Sequence, residues 1–327
     1  SLGIAFLAYA SASIAWAPIW QQAIWDLWLT YVLAGCFLLG ATHDPRKLWL
    51  GMALALGVSD VIALFQRLGY HPLFASDSWY QGGNFVNPDM FGETAALVSI
   101  ALISSRMWWP LLFTLPPIYF TQSRTVYVAY TMVLGYALWD RWRWHAVVPC
   151  LLVVLTTGYF VTSRYPDSIQ ERIAIWGDTT DGLTFAGRGA GSFFMLYPEF
   201  ARRTDTMRTR PEDPHNEFLN LAFEYGLGAI PVLALLALAF TGGGPERYIL
   251  VAFLTIAFFS FPSRIPTEGL VGLVALGRLC RPGSVPRPKF LDWGPIRAVW
   301  PPRLGRGVGS LEPIRAHALR LYRAGAR

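Results

Sequence analysis

The sequence predicts an all-α fold: a polytopic transmembrane bundle of about ten helices, with one large outer loop that carries short helices. Two observations lead to this prediction. Hydrophobic residues make up 54% of the 327 residues and charged residues only 15%, whereas soluble domains carry roughly 25% charged residues. Several apolar runs also approach the ~20 residues that a helix needs to cross a bilayer.

Hydropathy places the expected spans at 2–18, 24–42, 48–68, 89–105, 107–121, 125–139, 145–163, 216–240, 247–262 and 268–280. Arg and Lys residues gather in alternate connections, and cytoplasmic loops carry an excess of these residues. Both termini are therefore expected in the cytoplasm, and the loops 69–88 and 164–215 are expected outside.

Four regions follow from this topology. They are N-terminal helices at 1–163, the outer loop at 164–215, C-terminal helices at 216–280 and a basic, Pro-rich cytoplasmic tail at 281–327. The end of the tail, 314–327, is read either as a basic amphipathic helix on the membrane surface or as a disordered end. The chain starts without Met and is apolar at once, which favours a truncated start over a signal peptide.

The outer loop is rich in arginine. The segment 164–214 contains seven Arg and no Lys, which opposes the usual charge bias of short outer loops. One interpretation is a small folded region in which Asp and Glu balance the Arg residues. The other is that some of these Arg residues hold an anion, since Arg suits bidentate phosphate contacts.

The segment GGNFVNPDMFGE has the features of a helix start. Asn87 can cap the helix, Pro88 suits its first position, and Asp89 favours the positive end of the helix dipole. Glu93 lies one turn further, inside the expected span. Carboxylates within a membrane usually face the bundle interior or a wet cavity, so Glu93 is a candidate site residue.

Two further motifs carry arginine. In TQSRTVY, Arg124 either reaches to the membrane interface or, with Ser123 and the two threonines beside it, forms a donor-rich pocket for phosphate. In ERIAIW, Arg172 and Trp176 are four residues apart and are expected on one face of a short helix.

The segment PHNEFLNLAFEYGLGAI opens the next span. Asp213 or a neighbour is expected to cap the helix, with Pro214 at its start and His215 in its first turn. Such a His is either structural or, because its unperturbed pKa is near ~6.5, able to accept a proton at neutral pH. The glycines of GRGAGSF are expected to form a tight loop, because no βαβ unit surrounds them.

Metal and cofactor sites are not expected. The three cysteines, Cys36, Cys150 and Cys280, are far apart, and no His is paired with a Cys or another His at metal-ligand spacing. We therefore expect no metal, no cofactor and no nucleic-acid partner.

In order along residues 81–231, the motifs GGNFVNPDMFGE, TQSRTVY, ERIAIW, GRGAGSF with YPEF after it, and PHNEFLNLAFEYGLGAI resemble the O-antigen ligase and polymerase superfamily of membrane glycosyltransferases. The resemblance implies a multi-pass protein of the bacterial inner membrane, among membrane lipids, with its active site facing the periplasm. It implies metal-independent transfer of a glycan from undecaprenyl diphosphate to lipid A-core or another glycan acceptor.

The resemblance also implies roles for individual residues. Arg124 and Arg172 would bind the substrate diphosphate, and His215 would be catalytic. The supporting residues would be Ser123, Trp176, Asn216, Glu224 and Glu93. The chain departs from the family pattern at Asp89, where Asn is more frequent, in its fewer N-terminal spans and in its long Arg/Pro tail.

Several functions stay open at this point. O-antigen ligase is preferred because the single large outer loop carries both the His-Asn and the Arg-Trp motifs, but O-antigen polymerases and protein O-oligosaccharyltransferases share them. An alternative of another class is a membrane transporter or flippase with Asp60, Glu93 and Arg124 along its path. An inactive, truncated relative is a further alternative.

Overall fold

The computed structural model describes residues 2–70, 83–85, 87–142, 151, 155, 166–204, 211–241 and 243–281. The chain divides into the units Ser1–Leu291 and Asp292–Arg327, and all described residues belong to the first. The expected span at 145–163, except for residues 151 and 155, lies outside the described residues, as do most of the loop 69–88 and the tail from 282.

Every regular element in the described ranges is helical, in agreement with the predicted all-α class. The α-helices are α1 (Leu2–Ala12), α2 (Trp20–Thr42), α3 (Arg46–Arg67), α4 (Pro88–Ser104), α5 (Leu115–Thr121), α6 (Arg124–Trp142), α7 (Pro166–Asp181), α8 (Phe193–Phe200), α9 (Glu217–Tyr225), α10 (Ile230–Ala239), α11 (Glu246–Phe259) and α12 (Pro266–Leu279). Short 3₁₀ turns lie at Ser13–Trp16, Trp109–Phe113 and Gly226–Ala229.

Three helical segments of the described part are long and apolar enough to cross a membrane: α2, α3 and Glu217–Ala239, in which the 3₁₀ turn at Gly226–Ala229 joins α9 to α10. A shorter apolar helix covers Leu2–Trp16. These helices support a membrane protein. The count of ten spans and the periplasmic position of the outer loop stay predictions.

Helix α4 forms the centre of the bundle. Its residues from Phe91 to Leu102 are all buried, and α3, α5, α6, α11 and α12 pack around it. A helix that is buried on every side is apolar all round rather than amphipathic. Glu93 lies in this buried run and is 2% exposed, so its carboxylate is held inside the bundle.

Helices α2 and α12 approach each other most closely at glycines. A Cβ added at Gly277 would lie 1.9 Å from the carbonyl oxygen of Phe37, and one added at Gly40 would lie 2.0 Å from that of Val274. Small residues that let backbones approach are typical of helix packing in membranes. These two glycines therefore set the distance between α2 and α12.

The span expected at 107–121 is interrupted. This segment forms a 3₁₀ turn at Trp109–Phe113 and then the seven-residue α5, which rises only about 10.5 Å. Pro110 and Pro117 lie in these two pieces, and proline removes a helix hydrogen bond and clashes with the preceding turn. One continuous spanning helix was therefore the wrong prediction here.

Candidate functional site

Arg172, near the middle of α7, is half-buried and faces the end of α11. Its guanidinium donates a hydrogen bond to the carbonyl oxygen of Phe259. Trp176, one turn later, packs edge-on against Phe258 with ring centroids 5.5 Å apart. The two side chains meet neighbouring residues of α11, which confirms that they share one face of α7.

Arg172 interacts electrostatically with Arg124, and also with the carboxylates of Glu93, Asp89 and Asp213. Burial, followed by the repulsion from Arg124, lowers the pKa of Arg172 below its ordinary value. The lowered pKa means that the surroundings disfavour this positive charge despite the nearby carboxylates. A bound anion would relieve that cost.

Arg124 is the first residue of α6. Gln122, two residues before it, adopts a left-handed conformation with φ of 48°, which turns the chain between α5 and α6. Ser123 is 3% exposed, and the hydroxyls of Ser123 and Thr121 are buried without a hydrogen-bond partner. These hydroxyls and the N-terminal end of α6 place hydrogen-bond donors beside Arg124, an arrangement that favours anions.

Glu93 links three parts of the bundle at this site. The hydroxyl of Ser260 donates a hydrogen bond of 3.1 Å to its carboxylate, and Thr125 makes a further hydrogen bond with it. Its charge also interacts with Arg172 and Asp89. Glu93 therefore connects the core helix α4 with α6 and with the end of α11, within electrostatic reach of Arg172.

His215 precedes α9 in an uncommon backbone conformation, with φ of 50°. Such left-handed residues other than glycine carry strain that the surroundings must compensate. The backbone N–H of His215 donates to Asp213 Oδ1 at 2.7 Å. The indole N–H of Trp176 donates to the carbonyl oxygen of Pro214 at 2.9 Å. These two bonds fix the chain on the N-terminal side of the imidazole.

The imidazole of His215 is partly exposed, with 38% of the side chain accessible. Burial of the remainder, followed by the charge of Arg172, lowers the pKa of His215 to about 4. The ring is therefore neutral at pH 7 and has a nitrogen able to accept a proton. Its Nδ1 lies 3.8 Å from Asp213 Oδ1, so a small movement would bring the two into hydrogen-bond contact.

The prediction for the start of α9 was partly wrong. Asn216 is the N-cap, and its side chain accepts a hydrogen bond from the backbone N–H of Leu219 at 3.0 Å. The helix begins at Glu217, so Pro214 and His215 lie before it. The left-handed conformation of His215 excludes that residue from the first turn.

Glu224 belongs to a different cluster. Its carboxylate pairs with Arg264 at 2.8 Å, and Arg264 also lies 3.4 Å from Asp26. This ion pair connects α9 to α2 and to the loop before α12. Glu224 therefore joins the cluster around Arg264, where it supports helix packing.

The Gly-rich segment forms a tight loop against α9, as predicted. The backbone N–H groups of Arg188 and Gly189 donate to the carbonyl oxygens of Phe223 and Glu224. Gly187 has φ of 71°, and a Cβ there would lie 2.3 Å from the carbonyl oxygen of Glu224. Only glycine allows so close an approach at a positive φ.

The balance of outer arginines by acidic residues is observed at Arg203. Arg203 pairs with Asp178 at 3.0 Å and with Asp181 at 2.7 Å, so acidic residues balance it. Burial opposes ionisation of Asp178, but hydrogen bonds from Thr204 and from the segment at Arg203 outweigh it and lower its pKa. Arg172, in contrast, interacts electrostatically with another arginine, Arg124, as well as with carboxyl groups.

Sequence reasoning missed Asp213 as a partner of His215 and missed Arg264 altogether. Burial raises the pKa of Asp213 to about 6, above its ordinary value. The hydrogen bond from the His215 backbone opposes this shift without cancelling it. The spacing of Asp213 and His215 in PEDPH was the available signal. Arg264 pairs with residues far away in the chain, so no local pattern revealed it.

Within the described residues, no group of three or more His, Cys, Asp or Glu side chains is arranged to hold a metal ion. A comparison with models of known protein families finds no match, and neither does a search of the curated proteins. The interpretation of the site therefore depends on its geometry and on the resemblance of the motifs.

Proposed function

We propose that this protein is a lipid-linked glycan transferase that moves a glycan from undecaprenyl diphosphate to an acceptor at the periplasmic face of the inner membrane. The observation that carries the proposal is that Arg172 lies within electrostatic reach of both Arg124 and His215, two residues of other segments. Arg172 interacts with Arg124 and lowers the pKa of His215. Paired cations beside a neutral base are what displacement of a diphosphate by a hydroxyl requires.

In the proposed reaction, an acceptor hydroxyl attacks the anomeric carbon while the bond between that carbon and the diphosphate oxygen breaks. Arg124 and Arg172 stabilise the negative charge that develops on the departing diphosphate. His215 accepts the proton of the hydroxyl, and Asp213 stabilises the resulting imidazolium. Attack opposite to the leaving group inverts the anomeric configuration.

The remaining candidates have positioning roles in this proposal. Trp176 and Asn216 fix the chain on either side of His215 through their bonds to Pro214 and Leu219. Ser123 offers its unpartnered hydroxyl to the diphosphate. Glu93 positions the bundle around Arg172 through its hydrogen bonds with Ser260 and Thr125.

Among the related activities, we propose O-antigen ligase, with lipid A-core as the acceptor. The test is expression in cells that lack their own ligase, followed by inspection of the lipopolysaccharide. Restored long-chain glycan is the expected result, whereas altered chain length would indicate a polymerase and glycosylated pilin a protein-directed enzyme.

Variants of the arginines make this experiment specific. Arg172→Ala and Arg124→Ala should abolish the restored glycan, because each removes one cation from the diphosphate. Arg203→Ala is the matched control, since that arginine lies in the same outer segment but pairs with Asp178 and Asp181. Equal loss in the control, with all variants inserted normally, would contradict the assigned roles.

A further inference from the structure

A large cavity lies among the helices around Arg264, and its lining does not include Arg124, Arg172 or His215. Its volume is about 860 Å³ and its walls come from α1, α2, α9, α10, α11 and α12. Leucine and phenylalanine side chains, such as Leu33, Leu254 and Phe253, form most of the lining. Cavities of this size and composition accommodate small organic ligands.

One part of the cavity is polar. Asp26, Glu217, Asn220, Glu224, Ser263 and Arg264 line it. Arg264 is the cation of this group and pairs with Glu224 and Asp26. The hydroxyl of Ser263 donates to Glu217 Oε1 at 2.5 Å. The guanidinium of Arg264 is thus already engaged by two carboxyl groups, which leaves it little capacity to pair with an anionic head group.

Two acceptors in this polar part lack donors. Glu217 Oε2 and Asn220 Oδ1 are buried and have no hydrogen-bond partner among the described residues. The two residues are only 7% and 4% exposed. They are three residues apart in α9 and so lie on the same face of the helix. A buried acceptor without a donor is costly, and a ligand that supplies a donor removes that cost.

We propose that this cavity binds a single-chain lipid whose head group donates hydrogen bonds and carries no negative charge. The alkyl chain occupies the apolar part between α2, α10 and α11. The head group, a hydroxyl or an ammonium, donates to Glu217 Oε2 and Asn220 Oδ1. This site is distinct from the diphosphate site and does not depend on the transferase proposal.

The test uses the whole 327-residue chain in phosphatidylcholine nanodiscs. Three photoreactive probes share the same alkyl chain: hexadecanol, hexadecylamine and hexadecyl phosphate. Crosslinked peptides are mapped by mass spectrometry. The alcohol and the amine should label the segments that line the cavity, and the phosphate should label them about tenfold less. Preference for the amine over the alcohol would identify the ammonium as the natural head group.

Two variants and a matched control test the head-group contact and the alkyl-chain part of the cavity separately. Asn220→Leu keeps the volume but removes an acceptor, so labelling by the alcohol and the amine should fall about tenfold. Ala34→Phe fills the cavity wall and should abolish labelling. Gly35→Phe adds the same ring at the neighbouring position of α2, where a Cβ meets nothing within 4 Å. This control should leave labelling unchanged.

Equal labelling by all three probes, unaffected by Asn220→Leu, would overturn the proposal, because it indicates a crevice filled by bulk lipid. Absence of labelling in the cavity segments would overturn it as well. Size-exclusion profiles identify any variant that fails to fold. The conservative Asn220→Leu and the comparison of probes on the wild-type protein keep the test valid if Ala34→Phe does not insert.

Discussion

At the scale of single residues, the chemistry proposed for His215 depends on its neighbours. Partial burial and, after it, the charge of Arg172 keep the imidazole neutral, since both lower the pKa of His215. The backbone bond to Asp213 and the Trp176 contact with Pro214 hold it in place. A lone histidine at a helix start thus becomes a candidate base through contacts with α7.

Removing the charge of Arg172 should change the titration of His215. In Arg172→Gln, the pKa of His215 should rise from about 4 towards its ordinary value, because the second largest cause of the shift is absent. The measurement is nitrogen NMR of the histidine-labelled protein across a pH series. Arg203→Gln should leave the titration of His215 unchanged, and an unchanged pKa in Arg172→Gln would contradict the proposed proximity.

The pH dependence of stability follows from the same shift. Between pH 6.5 and about 4, His215 binds a proton more readily in the unfolded chain than in the folded protein, so its contribution to folding stability falls as pH falls. Asp213 acts in the opposite sense. Its raised pKa favours the folded protein at low pH, and this contribution is lost as pH rises from 3.8 through about 6.

We therefore expect His215→Gln to lose less stability than the wild-type protein when pH falls from 6.5 towards 4. Thermal unfolding in nanodiscs at several pH values measures this difference. His43→Gln is a suitable control, since His43 is exposed at the end of α2. A steeper pH dependence in His215→Gln than in the wild-type protein would show that the sign is wrong.

At the scale of elements, the contact of α2 with α12 depends on glycine. Gly277→Ala should lower the unfolding temperature, because its Cβ would lie 1.9 Å from the carbonyl oxygen of Phe37; forced separation of packed helices costs about 1–3 kcal/mol. Gly35→Ala, in open space on α2, should keep or raise the unfolding temperature. Equal behaviour of the two variants would contradict the close packing.

Local signals predicted the elements that depend on nearby residues. Asn87 caps α4 through the backbone N–H of Asp89 at 2.8 Å, and Pro88 is the first helical residue, as the motif indicated. The shared face of Arg172 and Trp176 was also predicted correctly from their spacing. These features arise within one helical turn, so sequence patterns contain them.

Other features depend on contacts that no local pattern carries. The helix after Asp213 begins later than expected because tertiary contacts hold His215 at positive φ. Arg264 pairs with Asp26 across 238 residues, and the cavity forms only where six helices meet. Hydropathy likewise overestimated the span at 107–121, because it counts apolar residues but not the effect of prolines on the helix.

At the scale of the whole molecule, the described helices bring two distinct polar clusters into one apolar bundle. One joins α4, α6, α7 and the segment before α9, and includes Arg124, Arg172 and His215. The other joins α2, α9 and the loop before α12 around Arg264. Charged groups in an apolar bundle are costly and usually mark function, which is why each cluster carries a proposal.

The central proposal is tested most directly by single-turnover glycan transfer with the purified protein, an undecaprenyl-diphosphate-linked glycan and lipid A-core. Wild-type protein and Arg203→Ala should form the glycosidic bond at similar rates. His215→Ala should be slower by about 10²-fold or more, as expected for loss of a general base, and Arg172→Ala should be slowed comparably. Transfer at the wild-type rate by correctly inserted His215→Ala and Arg172→Ala proteins would contradict the proposal.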